Sequence, residues 1–337
     1  MLRFVVLLFL LFRLAPGADQ ELLRLEASLD AMGSVYSVVL YGPDRGQLEA
    51  AAEEAFDEVR RLDRLLSNYR QDSEWSRVNQ KAAVEPVPVS EELFDLIAKC
   101  LGYSRASQGA FDITVGPLMK VWGFYKGSGR LPHRAEVRGA LTRVGYRHIQ
   151  LDSGARTIRF DRGGVEMDPG GIGKGYAVDR MVALLKKNKI RSALVSAGGS
   201  SIYALGTPPD QDGWEVDIRD PKEPSQPIEK VLLKDQSLSS SGNYEKFFIA
   251  DGQLYSHIMN PRTGYPAEGV LTVSVIAPQT LDSEAWTKPV YINGADWAKK
   301  NLPAGFRAFV CAEANNYRSR SVRRGLVGAE ARCGWLQ

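Results

Sequence analysis

A glycine-rich segment around one lysine is the part of this sequence best suited to chemistry. It begins at Asp168, ends at Asp179 and contains Lys174. Four glycines lie close to the lysine in the chain: Gly170, Gly171, Gly173 and Gly175. Glycine has no Cβ, so a ligand can approach its backbone closely, and the amides that begin a helix attract phosphate. The segment predicts either a phosphate-binding loop with Lys174 as its cation, or only a tight turn from a strand into a helix.

The chain has three histidines, and His257 is the one placed for acid–base catalysis. It lies where a predicted strand runs into a turn marked by Pro261 and Gly264. An imidazole changes its charge near neutral pH and can act as a general base. The alternative is a histidine at the end of its strand whose hydrogen bonds are only structural. His133 and His148 have polar surroundings, which predict surface positions.

Two carboxylates, Asp282 and Glu284, open the last predicted helix, and Thr287 and Lys288 follow them. Carboxylates at a helix start stabilise the helix dipole. They are also the ligands that Mg²⁺ takes together with other oxygens and a substrate phosphate. Glu284, a carbonyl of the glycine loop and the Thr287 hydroxyl would fit that list. These residues are compatible with either a pair that stabilises the helix dipole or a magnesium site.

Several classes of protein are excluded by composition and motif. The net charge of +3 and the scattered basic residues give no footprint for nucleic acid. The serines between residues 237 and 241 lack the Gly-x-Ser-x-Gly pattern of a serine hydrolase. The three cysteines have no zinc-site spacing. Cys311 and Cys333 can pair in an oxidising compartment, which leaves Cys100 as a core thiol.

The N-terminal segment has the order of a secretory signal. Arg3 precedes the apolar run 4–12, and the small residues 15–18 follow. The run is too short to span a bilayer as a helix. We therefore predict a signal peptide over residues 1–18, cleaved near Ala18, with an uncleaved membrane anchor as the alternative.

Hydrophobic periodicity predicts elements of both kinds. The expected helices are 47–66, a short one ending near 79, 90–107, one after the glycine loop, and 285–301. The expected strands are 35–41, 149–151, 157–160, 165–167, a hairpin in 193–204, 214–219, 231–240, 247–250 and 271–276. Without regular strand–helix alternation, the class is α+β rather than a doubly wound parallel sheet. We expect one domain over residues 19–312 and a poorly ordered, arginine-rich tail over 313–337.

Seven segments, in order, resemble the FAD:protein FMN transferase family, also called the ApbE family. Any one of them is weak, but together they span roughly residues 30–310. They are Met32-Gly33-Ser34; Ser67-x-Tyr69-x-x-x-Ser73-Glu74 with Asn79; Phe111-Asp112-x-Thr114-Val115-Gly116-Pro117-Leu118; Asp168-x-Gly170-Gly171-Ile172-x-Lys174-Gly175 with Asp179; Gly198-Gly199; Ser241-Gly242-Asn243-Tyr244; and His257-Ile258-Met259-Asn260-Pro261-Arg262-Thr263-Gly264.

The resemblance implies an exported protein with a T-fold-like α+β architecture of mixed or antiparallel sheets and packed helices. It implies Mg²⁺-dependent transfer of FMN from FAD to a threonine hydroxyl of an acceptor flavoprotein, with release of AMP. His257 falls on the general base, and Lys174 can neutralise developing charge. The Gly171 carbonyl and Glu284 fall on metal positions. The FAD-contacting positions are Met32, Tyr69, Ala110, Phe111, Asp112, Asp168, Lys174 and Met259.

Two departures from the family pattern matter. Where the family usually has Ala-Asp-Ala-x-x-Thr, this chain has Ser283-Glu284-Ala285-Trp286-Thr287-Lys288. A lysine in place of the metal-binding threonine repels a divalent cation, so Lys288 either weakens the metal or partly replaces it. Ser200, after Gly198-Gly199, is the second departure. The alternatives to transfer are an FAD-binding carrier and an FAD pyrophosphatase that gives FMN and AMP.

Overall fold

The structure, a computed structural model, describes residues 22–127, 129–313 and 331–336. The strands of this part are β1 (Leu23–Ala31), β2 (Ser34–Gly42), β3 (Val87–Pro88), β4 (Ile149–Asp152), β5 (Thr157–Phe160), β6 (Ser192–Ala197), β7 (Ser201–Leu205), β8 (Trp214–Arg219), β9 (Pro227–Leu233), β10 (Gln236–Gly242), β11 (Phe247–Ala250), β12 (Gln253–Ser256), β13 (Val270–Ala277), β14 (Arg307–Glu313) and β15 (Ala331–Trp335). The α-helices are α1 (Arg45–Leu66), α2 (Glu74–Lys81), α3 (Glu91–Ala106), α4 (Gly116–Val121), α5 (Arg134–Leu141), α6 (Gly173–Lys187), α7 (Thr280–Asn293) and α8 (Ala295–Asn301).

An eight-stranded sheet is the centre of the fold, with strand order β1-β2-β6-β7-β10-β13-β14-β15. Every neighbouring pair in it is antiparallel. Three smaller sheets flank it: β3-β5-β4, β8-β9 and β11-β12. Side chains alternate between the two faces of a strand, and both faces of the central sheet are covered. Val273 and Val275 of β13 pack in the core that includes α7, whereas Ile276 faces the β8-β9 hairpin.

Two helices cover the first strands of the sheet. The Asp44 side chain caps α1 by accepting from the Gln47 amide at 2.7 Å. Apolar residues then recur every three or four positions and form the buried face of α1, most of which packs against β1, β2 and α6. Those residues are Leu48, Ala51, Ala52, Ala55, Phe56, Val59, Leu62 and Leu66. This packing fixes α6, the helix that follows the glycine loop.

A row of hydroxyl groups holds α7 on β10. The Ser283 Oγ lies 3.0 Å from the Ser237 Oγ and 2.8 Å from the Ser239 Oγ. One turn further along α7, the Thr287 Oγ1 lies 2.8 Å from the Ser241 Oγ. Residues three and four apart share a helix face. These contacts therefore fix the orientation of α7 about its own axis, and with it the positions of Glu284 and Lys288. The serines of β10 thus have a structural role.

The expected α+β architecture, with antiparallel sheets and packed helices in one domain, is confirmed. Several elements differ from expectation. Residues 165–167 form no strand. The single strand expected over 231–240 is two strands, because the chain turns at Asp235, whose φ is 50°. The last helix begins earlier, at Thr280, and is broken at Gly294, whose φ is 79°.

The expected tail is partly wrong. Residues 331–335 return to the central sheet as β15, which pairs with β14. Cys311 and Cys333 lie opposite each other in this pair and form the expected disulfide, while Cys100 is a buried free thiol. The expected signal peptide, residues 1–18, lies outside the described residues. Among those that are described, we find no helix with the length and apolar character needed to cross a membrane.

Candidate active site

The glycine loop and the two helices α6 and α7 meet at one point. Glu284, which is only 3% exposed, accepts a hydrogen bond from the Gly175 amide at 2.5 Å. Amides in the first turn of a helix lack intrahelical partners, and this carboxylate supplies one. A Cβ on Gly175 would lie 2.5 Å from the Thr280 carbonyl oxygen and 2.8 Å from Glu284 Oε2. Glycine at 175 is therefore required for α6 and α7 to approach this closely.

Asp179, at the end of the motif, has a structural role. Its carboxylate accepts from the amides of Thr280 at 2.7 Å and Leu281 at 2.9 Å, and so caps α7. Burial raises the pKa of this carboxyl. The two acidic ends of the motif thus serve different purposes, because Asp168 faces the loop.

Asp168 organises the entrance to the glycine loop. Its Oδ1 accepts from the Gly170 amide at 2.7 Å. Its Oδ2 accepts from the Tyr125 hydroxyl at 2.5 Å and from the Asn68 side-chain amide at 3.2 Å. Burial raises the pKa of Asp168, and these donors oppose that effect. The Oδ1 of Asn68 is buried and has no hydrogen-bond partner among the described residues, so it offers an acceptor to a ligand.

Lys174 lies in the first turn of α6, and its ammonium group donates a hydrogen bond to the Ser200 Oγ. Ser200 is 2% exposed and follows two glycines with positive φ, Gly198 (62°) and Gly199 (65°). The glycine turn between β6 and β7 thus delivers a hydroxyl that holds the lysine. Sequence reasoning named Ser200 as a departure without a role, and the structure supplies one.

The imidazole of His257 is oriented by one hydrogen bond to the backbone. Its Nδ1 lies 3.0 Å from the Lys246 carbonyl oxygen, which can only accept, so Nδ1 carries the proton. The lone pair of Nε2 is then left for a substrate proton. Burial lowers the pKa of His257 to about 4, and the ammonium groups of Lys288, Lys246 and Lys174 lower it further. The imidazole is therefore neutral at physiological pH, and three cations lie within electrostatic range of it.

Lys288 belongs to the same cluster. Its ammonium donates to the Glu284 carbonyl oxygen at 3.0 Å, and its Cε lies 3.5 Å from where a Cβ on Gly171 would be. Burial lowers the pKa of Lys288 to about 8, and nearby Lys174 lowers it as well. The lysine thus lies between Gly171 and Glu284, the two residues to which the resemblance assigns the metal.

The residues present do not make a convincing divalent-metal site. The Glu284 Oε2 is held by the Gly175 amide. The Thr287 hydroxyl donates to the Glu284 carbonyl oxygen at 2.7 Å and also bonds Ser241, so it is not a free ligand. Lys288 brings a positive charge to the remaining position. No cluster of three or more His, Cys, Asp or Glu side chains in the described part of the chain is arranged to hold a metal ion.

The other expected FAD contacts fall into two groups. Met32 and Phe111 border the glycine loop, since each lies 3.5 Å from a Cβ position, on Gly173 and Gly171 respectively. Tyr69, which is 77% exposed, lies at the entrance with its ring 6.3 Å from that of Tyr125. Ala110 is buried beside Phe111. Contact of these residues with FAD stays a prediction.

Two residues that were expected to contact FAD make their contacts within the protein. Both oxygens of Asp112 are used: Oδ1 accepts from the Thr114 amide and hydroxyl, and Oδ2 accepts from the Tyr146 amide at 2.6 Å. Met259 is buried in a small core around Trp122. We assign Asp112 and Met259 to shaping the walls of the site; any direct contact with FAD stays a prediction.

Three residues of the site were not found from sequence. Tyr125 lies in a short 3₁₀ turn, and no motif marks it. Asn68 lies in the polar loop before α2, where the resemblance pointed to its neighbours Ser67 and Tyr69. Lys246 acts on His257 through its carbonyl and its charge. Its role depends on the pairing of β11 with β12, which brings residue 246 beside residue 257.

Fold and site together define an α+β protein that gathers the ammonium groups of Lys174 and Lys288 around the start of α6, an arrangement suited to a phosphate-bearing ligand. The ApbE family model matches residues 32–309, and the chain belongs to the ApbE family. The matched range contains all the site residues described above. The family resemblance seen in the seven sequence segments is therefore confirmed.

Individual relatives agree with this assignment. The chain is 34% identical over 263 residues to the FAD:protein FMN transferase of Treponema pallidum, covering 74% of this chain and 72% of the relative. It superposes on the crystal structure of the ApbE protein of Thermotoga maritima with a TM-score of 0.78 and 29% identity, covering 86% and 94% of the two chains. The flavinyl transferase ApbE of Pseudomonas stutzeri gives a TM-score of 0.76 and 30% identity, covering 86% and 92%.

Proposed function

We propose that this chain is an FAD:protein FMN transferase that moves the FMN moiety of FAD onto a threonine hydroxyl of an acceptor flavoprotein. The observation that carries the proposal is the pairing of a neutral His257, with Nε2 left free, and a cationic glycine loop at one site. The Treponema pallidum relative carries the same activity in its name, and the Pseudomonas stutzeri structure is named a flavinyl transferase. The acceptor supplies the nucleophile, so the protein needs none of its own.

The step balances without any other reactant. The acceptor hydroxyl oxygen attacks the phosphorus of the FMN half of FAD and forms a phosphoester bond. The P–O bond to the AMP half breaks, and AMP leaves with the negative charge. The Nε2 of His257 takes the hydroxyl proton. Lys174 neutralises charge on the phosphate oxygens, where it develops in the transition state.

The magnesium ion that the resemblance implies would lie between the Gly171 carbonyl and Glu284. There it would supply Lewis-acid polarisation of the phosphate. Lys288 lies at this place with its own positive charge. The lysines of the site therefore supply the charge neutralisation.

We also propose that the protein is exported and acts in the periplasm or at the outer face of the cytoplasmic membrane. Membrane association would come only from the N-terminal segment. The Cys311–Cys333 disulfide supports this proposal, because disulfides persist in oxidising compartments. N-terminal sequencing of the secreted protein tests it: a mature chain that starts near Asp19 is expected, and an intact chain in the cytosol would contradict it.

A flavinylation assay tests the activity. The purified chain is incubated with FAD and an acceptor flavoprotein, with and without Mg²⁺. The same acceptor carrying valine in place of the target threonine is the control. Covalent FMN on the first acceptor only, with an equal amount of AMP, is expected. FMN and AMP without a covalent label would instead identify a pyrophosphatase. Intact bound FAD with no product would identify a carrier.

A further inference from the structure

We propose that the Lys288 ammonium takes the place of the family's divalent cation, so that this chain binds the FAD diphosphate and transfers FMN without an added metal. The inference rests on the proposed function, since it concerns the cation of the same site. It predicts a behaviour that the family resemblance does not, because the resemblance implies dependence on magnesium. Three features of the site support it.

The first feature is position. Lys288 lies one turn after Glu284 on α7, and its Nζ donates to the Glu284 carbonyl oxygen at 3.0 Å. Its Cε lies 3.5 Å from the point that a Cβ on Gly171 would occupy. The ammonium therefore lies at the residues to which the metal is assigned, with its stem beside Gly171.

The second feature is that the oxygen atoms available as metal ligands already make hydrogen bonds within the protein. One oxygen of Glu284 caps α6 through the Gly175 amide. The hydroxyl of Thr287, the nearest substitute for the family's threonine, bonds Ser241 on β10 and the Glu284 carbonyl. Thr287 is fully buried in this contact. A divalent ion would have to displace these hydrogen bonds to gain a third protein ligand.

The third feature is charge. Lys288 and Lys174 already interact electrostatically, and Glu284 is the carboxylate that acts on Lys288 most strongly. A divalent cation added beside two ammonium groups would be repelled by both. An ammonium is a compact charge with three donors, and lysine binds phosphate in this way. Lys288 donates one hydrogen bond within the protein among those described, which leaves donors for phosphate oxygens.

The wild-type protein itself provides the first test. Transfer of FMN and affinity for FAD are measured in EDTA and in millimolar Mg²⁺, and calorimetry with Mg²⁺ alone measures metal binding. We expect both quantities to change by less than about twofold, and no binding of Mg²⁺ alone, since the metal's charge is supplied by the lysine. Loss of transfer in EDTA that Mg²⁺ restores would overturn the inference.

Two variants sharpen the test. Lys288→Met keeps the stem without the charge, and should weaken FAD binding and lower transfer about 100-fold or more in either condition. Lys288→Thr restores the family's residue and should make transfer depend on Mg²⁺. The exposed Lys299→Thr is the matched control and should behave as wild type. If Lys288→Met keeps wild-type transfer and FAD affinity in EDTA, the inference is wrong.

The two proposals fail separately. If the chain transfers FMN but only with Mg²⁺, the role of Lys288 is wrong and the proposed function stands. If it transfers no FMN under any condition, the proposed function is wrong. The role of Lys288 can then still be tested by FAD binding. It is supported if FAD affinity does not depend on Mg²⁺ in the wild type but does depend on it in Lys288→Thr.

Discussion

The carboxylate of Glu284 on α7 accepts the backbone amide hydrogen of Gly175 on α6. This bond joins the helix that carries Lys288 to the start of the helix that carries Lys174. Residues more than 100 positions apart in the sequence therefore contribute cations to one place. A carboxylate at a helix start also stabilises that helix, so Glu284 contributes to the fold as well as to the site.

Gly175→Ala tests how much the site depends on this close approach. The added Cβ would lie 2.5 Å from a backbone carbonyl oxygen and 2.8 Å from Glu284 Oε2, and backbone cannot easily move away. Overpacking of this kind costs about 1–3 kcal/mol. We expect a lower free energy of unfolding in urea and weaker FAD binding.

Gly102→Ala is the matched control for that variant. Gly102 lies inside α3, and a Cβ there would meet nothing within 4 Å. Alanine in place of a helix-interior glycine should raise stability by about 0.5–1 kcal/mol. Equal effects of the two substitutions would show that the contact between α6 and α7 is not tight.

His257→Gln tests the general base. Glutamine keeps much of the shape but cannot take the proton, so transfer should fall about 10²–10⁴-fold. FAD affinity should change little, because the lysines that bind the diphosphate remain. The exposed His133→Gln is the control. Transfer by His257→Gln at the wild-type rate would remove this residue from the mechanism.

The pH dependence of transfer follows from the lowered pKa of His257. With a pKa of about 4 the base form persists to acidic pH. The kcat/KM for FAD should therefore stay nearly constant from pH 7.5 to 5.5, whereas a base with the ordinary value would lose about tenfold by pH 5.5. An inflection near pH 6.5 in the pH–rate profile would contradict the neutral imidazole.

The same group affects stability with a definite sign. Between its folded pKa of about 4 and the ordinary value, His257 binds a proton in the unfolded chain but not in the folded one. The unfolded state thus binds more protons, and the free energy of unfolding falls as the pH falls through this window. In His257→Gln the decrease in the free energy of unfolding that is due to this histidine should disappear, as urea titrations at several pH values would show.

Ser200→Ala tests whether the turn between β6 and β7 positions Lys174. Removing the hydroxyl frees the ammonium from its partner, and a hydrogen bond to a charged group contributes about 1.5 kcal/mol or more. We expect FAD affinity to fall about tenfold, with the transfer rate at saturating FAD less affected. The exposed Ser225→Ala should leave both unchanged. A drop in transfer alone would argue against positioning through Lys174.

The Cys311–Cys333 disulfide should stabilise the protein by about 3 kcal/mol, since it closes a loop with a sequence separation of 22. A reductant should lower the urea midpoint of the wild type by a corresponding amount. It should have no effect on a variant with alanine at both positions. Identical midpoints with and without reductant in the wild type would show that β14 and β15 do not depend on the bond.

Much of the fold could be predicted from local pattern. The helix α1 was expected over 47–66 and α3 over 90–107, because both have an apolar stripe, and the Ser90 hydroxyl caps α3. The strand β8 was also expected, over 214–219, but its pairing with β9 was not. The strand β9 and the following β10 look like one continuous β segment, and only the positive φ of Asp235 separates them.

The site was predictable where motifs carry it, and not where tertiary contacts do. The glycine spacing around Lys174 and the turn after His257 pointed to the residues that the fold brings together. Thr287 was open as a ligand, and its contact with Ser241 depends on the packing of α7 on β10. The place of Tyr125 beside Asp168 depends on a loop that no sequence pattern positions.

A crystal structure of the protein with FAD, grown in EDTA, is the most direct test of whether the two lysines bind the diphosphate without a metal ion. We predict that the diphosphate lies at the start of α6, in contact with the ammonium groups of Lys174 and Lys288. The phosphorus of the FMN half should face the Nε2 of His257. Density for FAD elsewhere, or a diphosphate remote from these three side chains, would contradict the account.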